Sequence, residues 1–438
     1  MRSKLLAAVL LGGGLATASS AYAVTEIHFW HAMTGALGDR VVEYANKFNA
    51  SQSEYKVVPV YKGSYPETLS AGIAAYRAGN APDILQVVEV GTATMMAAKG
   101  AIEPVYKVMA MGGEKFDPKA YMPAVASYYT DNQGRMLSLP FNSSTPVFFY
   151  NKDAFQKAGL DPADPPKTWE QFAKDAPKIK ASGASCVYTT GWQSWVQVEN
   201  MSAWHNKEFA TLNNGFGGLG THLVFNNPFM VRHISNLGKW AKEGLFTYAG
   251  RRNEPEAKFY SGECAMLTSS SAAYGNIKKN AKFDFGVSTL PYYADVKGAP
   301  QNTIIGGASL WVFAGKPKAE YVGVAKFFQF LSSPEIQADW HQHTGYVPIT
   351  KAAYELSKQQ SFYEKNPGTD TAIKQLLLRN PTKLSKGIRL GNFVQIRNII
   401  DEELEAVWAG KASAKQALDT AVRRGNEELR KFQRANQG

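Results

Sequence analysis

Adjacent serines in the stretch PFNSSTPVFF, Ser143 and Ser144, follow a Pro-Phe-Asn turn and precede an apolar run. A nucleophilic serine needs a base to take its proton and donors for the oxyanion. Neither is marked in the sequence: the G-x-S-x-G elbow is absent, and none of the seven histidines is singled out as a base by its neighbours. The alternative is a pair of hydroxyls in a turn or offered to a ligand. His341 and His343 stand two apart, whereas helical metal ligands share a face at three or four, so the expectation is no metal. Gly112-Gly113 and Gly306-Gly307 are pairs without a phosphate-loop or dinucleotide pattern, and they leave open either a plain turn or backbone N–H groups approaching an anion.

Other residues could read a polar ligand without transforming it. Trp192 and Trp195 in GWQSW carry two indoles three apart, suited to covering a polyol face or, equally, to a core. Glu89 follows the apolar run ILQVV, where open α/β sheets place ligand groups, and a carboxylate there accepts hydroxyl hydrogen bonds. Arg397, shortly after Gly391-Asn392, has the fork for a bidentate grip on phosphate. A structural ion pair is the competing reading of each.

The elements that must position these residues alternate along the first part of the chain. Strand patterns at 25–30, 55–61 and 84–88 are separated by helical spacing at Leu37, Val41, Ala45 and Phe48, and at Leu69, Ile73 and Tyr76. That alternation predicts a parallel sheet with right-handed crossovers. After Pro140 the spacing predicts a strand at 147–150, a helix at 152–158, a helix capped by Thr168, and strands at 264–268, 285–287 and 309–313. Helices at 321–331, 334–341, 398–408 and 415–432 follow. A chain of 438 residues suggests about two domains, yet no Pro/Gly-rich linker divides it, which fits a chain crossing between lobes more than once.

The N-terminus has the features of a secretory signal: basic Arg2 and Lys4, an apolar stretch over 5–15, and Ala21-Tyr22-Ala23 before the expected cut. The mature chain is then expected from Val24 in an exported compartment. The formal net charge is +11, of which Arg2 and Lys4 contribute two. Such a surplus favours small anions, but the basic residues are scattered, which argues against nucleic acid. Export permits a disulfide between Cys186 and Cys264; the sequence leaves that bridge and two buried thiols both open.

Several longer stretches carry a resemblance. VFFYNKDAFQKAGLD, PPKTWEQF, FYSGECAM and GGASLWVFAGKPK resemble the extracellular solute-binding proteins of ABC importers, in the carbohydrate-type class that includes maltose-binding protein. FWHAMTGALG, YKGSYPETLSAGIAAYRAGNAP, LQVVEVGTATMMAAKGAIEPV, LPFNSSTP, GWQSWVQVEN, IIGGASLWV, WHQHTGYVPITKAAY and GIRLGNFVQIR are similar to the phosphoglycerol-binding branch of that family, over nearly all of the expected mature chain. The resemblance implies two α/β lobes, each a mainly parallel sheet flanked by helices, with a ligand cleft and a hinge of several crossings. On that pattern, after a leader at 1–23, the first lobe takes 24–140 and 271–330 and the second takes 141–270 and 331–438. It also implies the ligand, sn-glycerol 3-phosphate or a glycerophosphodiester such as glycerophosphocholine, and the partners, a membrane permease with a cytoplasmic ATPase. No cofactor and no covalent step are expected, and the chain is expected to be a monomer.

Residue by residue, the resemblance places Tyr65 and Glu89 at the glycerol hydroxyls with Trp192 as a wall. It places Ser144, Ser270, the Gly307 backbone, Tyr346 and Arg397 around the phosphate. Glu89 is expected away from the phosphate because two negative charges would meet there. Ser143 is left as a turn residue. A same-fold receptor for a neutral oligosaccharide and a secreted phosphodiesterase using Ser144 are the competing readings.

Overall fold

The computed structural model describes residues 23–437. The expected leader at 1–23 therefore lies, but for Ala23, outside the described residues. Strand β1 (Thr25–His31), helix α1 (Gly35–Ser51), strand β2 (Tyr55–Tyr61), helix α2 (Tyr65–Arg77) and strand β3 (Ile84–Val88) follow the alternation read from the sequence. The causes are local. Helix α1 buries Val41, Tyr44, Ala45 and Phe48 on one stripe. Helix α2 begins with a capping box, in which the Ser64 hydroxyl and the Glu67 carboxylate each accept from the other's backbone N–H. All five residues of β3 are buried, as an apolar run covered on both faces should be.

Strands β4 (Ile102–Glu103), β5 (Leu139–Ser144), β6 (Pro146–Asn151), β7 (Cys186–Thr190), β8 (Cys264–Ser270), β9 (Phe285–Ser288) and β10 (Gly306–Phe313) complete two sheets. The first runs β2-β1-β3-β10-β4, with β5 also on β10; the second runs β7-β8-β6-β9. Only β1–β2, β1–β3 and β7–β8 are parallel. Strand β10 is antiparallel to β3, β4 and β5, and β6 is antiparallel to β8 and β9. The expected mainly parallel sheets are thus mixed. A strand that enters from the other lobe needs no βαβ crossover, so nothing enforces parallel pairing.

The crossings are short. Thr145 alone separates β5 in the first sheet from β6 in the second. Alternate residues of β6 join different cores: Phe148 and Tyr150 pack with Trp169, Phe172 and Trp240, while Val147 and Phe149 pack with Phe259 in a core that extends to Phe141 and Trp340. One strand thereby ties both lobes together without a linker. The segments assigned whole from the pattern divide between the lobes. Within 271–330, β9 joins the second sheet and β10 the first. Within 331–438, the helix Pro334–Thr344 packs on α1, whereas the helices Phe393–Trp408 and Ala414–Asn436 pack with Pro228–Lys242.

Cys186 and Cys264 are disulfide-bonded. They are register partners on the parallel neighbours β7 and β8, which brings their Cα atoms together. Thr168 caps the helix Trp169–Ala181 as expected, accepting from the Gln171 N–H. Ser143 is not in a turn: it sits inside β5, opposite Gly307.

Candidate functional site

A cleft of about 230 Å³ opens between the lobes. Tyr65, Glu89, Ser144, Trp192, Ser270, Gly307, Tyr346 and Arg397, all eight residues named from the sequence, line it. Most lie where a strand or helix ends. Glu89 follows β3, Ser144 closes β5, Ser270 closes β8, Gly307 is near the start of β10, and Tyr65 is the first residue of α2.

The cleft holds a charged cluster. The Arg397 Nη2 donates to Glu89 Oε1 at 2.7 Å and to Glu199 Oε1 at 2.8 Å, and its Nε donates to Glu199 Oε2 at 3.0 Å. Glu199 lies in a wide helical turn, Trp195–Asn200, with a side chain only 2% exposed. Burial raises the Glu89 carboxyl above its ordinary range; Arg397 opposes this and Glu199 adds to it. Burial also works against the Arg397 charge, but the two carboxylates outweigh it and hold the guanidinium protonated. The separation expected from the sequence, Glu89 on hydroxyls and Arg397 on phosphate, does not correspond to this geometry. The two side chains are bonded to one another, because a cation buried between two carboxylates gains more from pairing than from standing apart. The Nη1 group of Arg397 has no protein partner among the described residues, so two N–H donors remain for a ligand.

The rest of the lining is rich in donors, and the register of β10 on β3 brings part of it, Gly307, beside Glu89. The Ser144 hydroxyl makes no hydrogen bond to the described residues, while the Ser270 hydroxyl accepts from the Ala272 N–H at 3.1 Å. Gly307 has φ +92°, and a Cβ there would stand 1.8 Å from the Asn142 carbonyl oxygen, so only glycine lets β10 approach β5. Met33, Thr34 and Leu37 bring the N-terminus of α1 to the cleft; Ala272, Ala273 and Asn276 bring that of the helix Ala273–Asn280. Neither helix has an acidic residue in its first turn. Unpaired N–H groups at such termini favour an anion.

Aromatic side chains set the walls. The Tyr65 and Trp192 rings, from opposite lobes, have centroids 6.2 Å apart. Trp192 adopts φ 50°, and its N–H donates to the Arg252 carbonyl, so it leaves the chain at a bend rather than from a helical face. Trp195 also lines the cleft and is buried, its indole N–H without a hydrogen-bond partner among the described residues. The Tyr65 hydroxyl accepts from Asn142 Nδ2 at 2.8 Å, Asn142 Oδ1 accepts from Gln86 Nε2, and Gln86 Oε1 accepts from the Ala32 N–H. This amide relay, buried under the first lobe, fixes the tyrosine. Tyr346 stacks on Trp340, which stacks on Phe141.

Sequence reasoning missed Asn142, Glu199, Arg252 and Glu256. Asn142 stood in plain view beside the serines. Arg252 lines the cleft and its side chain makes no ion pair or hydrogen bond among the described residues. His341 and His343, weighed for a metal, are engaged separately: His341 with the Tyr346 carbonyl and the Tyr363 hydroxyl, His343 with Asp339.

A two-lobed α/β fold with a polar cleft between the lobes is an arrangement suited to enclosing a small solute. Residues 43–371 match the family described as bacterial extracellular solute-binding protein, and the chain belongs to that family. Within it, the chain is 58% identical over 423 residues, 96% of each chain, to the sn-glycerol-3-phosphate-binding periplasmic protein UgpB of Escherichia coli strain K12. Two solved structures share the fold. UgpB from Mycobacterium tuberculosis, in complex with glycerophosphocholine, superposes with a TM-score of 0.78 at 22% identity, covering 93% of this chain and 99% of its own. The cyclic α-maltosyl-1,6-maltose binding protein from Arthrobacter globiformis superposes with a TM-score of 0.71, also at 22% identity and with the same coverage.

Proposed function

We propose that this protein is the periplasmic receptor of an ABC importer and captures sn-glycerol 3-phosphate, with glycerophosphodiesters such as glycerophosphocholine as further ligands. It would hand them to a membrane permease driven by a cytoplasmic ATPase. The observation that carries the reading is a cleft lined by two unlike sets of groups: a carboxylate–guanidinium–carboxylate cluster, and hydroxyls with two helix N-termini. The high identity to a receptor named for this ligand supports it.

The chemistry suits a phosphoglycerol. A monoester carries about −1.5 to −2 charges near neutral pH and three acceptor oxygens. The serines, the helix termini, the Gly307 backbone and the tyrosine hydroxyls would supply donors without a second buried cation. Glu89 would accept glycerol hydroxyls while remaining paired to Arg397, whose Nη1 would reach a ligand oxygen. The volume also disfavours an oligosaccharide, since about 230 Å³ is below the roughly 300–1,000 Å³ of sites for drug-sized molecules. Capture and release would need no covalent step; a phosphodiesterase using Ser144 lacks a base hydrogen-bonded to that hydroxyl. The cleft would shut by bending at the short crossings, and such closure is a known mode of periplasmic binding proteins, which are a standard example of it.

Calorimetric titration of the mature protein tests the reading. Tight binding of sn-glycerol 3-phosphate, with none of glycerol, inorganic phosphate or maltose, is the expected result. Heat with maltose alone would overturn the ligand. Free choline or glycerol appearing from glycerophosphocholine over long incubation would overturn the non-catalytic reading.

A further inference from the structure

Three acids line the cleft, Glu89, Glu254 and Glu256, and Glu256 differs from Glu89 in having no cation. Glu256, in the helix Glu254–Tyr260, is 6% exposed and faces the cleft. Its Oε1 accepts from the Ser269 hydroxyl at 2.9 Å, and its Oε2 has no hydrogen-bond partner among the described residues. Among the described residues, no lysine, arginine or histidine forms an ion pair with it. Glu256 lines the cleft together with Ser270 and with Ala272, Ala273 and Asn276 at a helix N-terminus. An ionised carboxylate there would repel a phosphate; a neutral acid would bring it a donor.

We propose that Glu256 is a ligand-reading residue that binds the phosphate end of the ligand as a neutral carboxylic acid, donating its proton from Oε2 to a phosphate oxygen. The proposal rests on the phosphoglycerol reading above. The geometry fixes which oxygen carries the proton: Oε1 is occupied as an acceptor, leaving Oε2 free to donate. Bonds of this kind, from an acid O–H to an anionic oxygen, are among the short and strong ones. Burial pushes the Glu256 carboxyl up to about 8, the Ser269 hydrogen bond partly opposing it and Glu254 adding to it. Glu254 on its own helix, Arg252 just before it, and Tyr61, Tyr65, Glu89, Tyr346 and Arg397 are the other ionisable side chains lining the same space. Of the elements packed on this helix, β8 brings no ionisable group and β7 brings Tyr188, bonded to Thr268. The helix Ala273–Asn280 brings Tyr274 and, in its last turn, Lys278 and Lys279.

A proton donated to the ligand must be present in the complex. Affinity should therefore hold below the free-protein value for Glu256 and fall above it, while binding at high pH takes up a proton. The ligand's own second ionisation, near 6, is complete over that range.

The experiment is calorimetry of the mature protein with sn-glycerol 3-phosphate at about pH 7 and about pH 9, in buffers of different ionisation enthalpy. Wild type, Glu256→Gln and Glu256→Ala are compared, each with its melting curve. Wild type should weaken by roughly tenfold per pH unit above about 8 and take up about one proton at the higher pH. Glu256→Gln keeps a donor, so it should stay within about threefold of wild type at pH 7 and show no pH dependence, while Glu256→Ala should be weaker by about tenfold at pH 7. Equal wild-type affinity at both pH values without proton uptake overturns the proposal, and that comparison needs no variant to fold. So does a pH dependence retained in Glu256→Gln, or a tenfold loss in that variant at pH 7 with an unchanged melting curve. No wild-type binding at any pH would instead defeat the ligand reading on which the proposal stands.

Discussion

The charged cluster and the donor-rich remainder of the cleft lining solve opposite problems. In the first, three charges are buried together, Glu89, Arg397 and Glu199, and their hydrogen bonds are satisfied mainly by each other. In the second, hydroxyls, backbone and helix termini face the cleft with few protein partners. The cluster is built before a ligand arrives and joins β3 of the first sheet to the helix Phe393–Trp408 beside the second. The remainder is completed only by what enters. Stability and specificity are therefore expected to separate at the level of side chains: changes to the charged cluster should damage the protein as well as binding, and removal of an unpartnered hydroxyl should damage binding alone.

Removing the shared cation should have the largest effect. Arg397→Ala would leave Glu89 and Glu199 buried and unpaired, costing about 3–5 kcal/mol of stability. Thermal melting should fall by many degrees and the binding heat vanish. An unchanged melting curve would mean the cluster is not structural, and the contrast would collapse. Gly307→Ala comes next and tests the donor-rich lining through its backbone. A side chain at φ +92°, with Cβ 1.8 Å from the Asn142 carbonyl, should cost about 1–3 kcal/mol in conformation alone, before any movement of β5. Because Asn142 also holds the Tyr65 hydroxyl, weaker binding should accompany the lower melting temperature.

The two sets of groups also differed in how far the sequence revealed them. Apolar periodicity disclosed β1, α1, β2, α2 and β3, and Glu89 followed from its place after β3. Thr168 announced its helix because capping is a local transaction between four residues. Pairing direction was not legible in the second sheet, since β6, β8 and β9 meet through a chain that returns from the other lobe. Glu89 and Arg397 could each be read as an ion pair or as ligand groups, and they are bonded to each other across 308 positions. Glu199 was hidden because no local pattern marks its wide helical turn. Glu256 was hidden because burial without a cation is a tertiary property. Ser143 was misplaced by its neighbours: Pro140 and Asn142 look like turn residues, yet the strand continues through a bulge at Phe141 of β5, opposite the Ala308–Ser309 step of β10.

A milder change to the charged cluster sharpens the contrast. Glu199→Gln keeps the shape but offers Arg397 one acceptor oxygen in place of two and removes a charge. Loss of one charge-assisted hydrogen bond predicts about 1.5–3 kcal/mol less stability by denaturant titration. If Glu199 only fills space, the midpoint will not move.

The smallest effect should come from the residue that poses the chemical question most directly. Ser144 offers its hydroxyl to the cleft and bonds to nothing else among the described residues, so Ser144→Ala removes no protein interaction. Stability should stay within about 0.5 kcal/mol of wild type. Loss of one hydrogen bond to the ligand predicts about 1 kcal/mol, roughly fivefold in affinity for sn-glycerol 3-phosphate. That pairing, weaker binding with an unaltered melting curve, is the inverse of the result expected for Glu199→Gln, and the two variants together test whether binding and stability are divided between the two sets of groups. A Ser144→Ala protein that binds as wild type would take this hydroxyl out of the site, and one that melts early would show that the donor-rich lining also holds the lobes together.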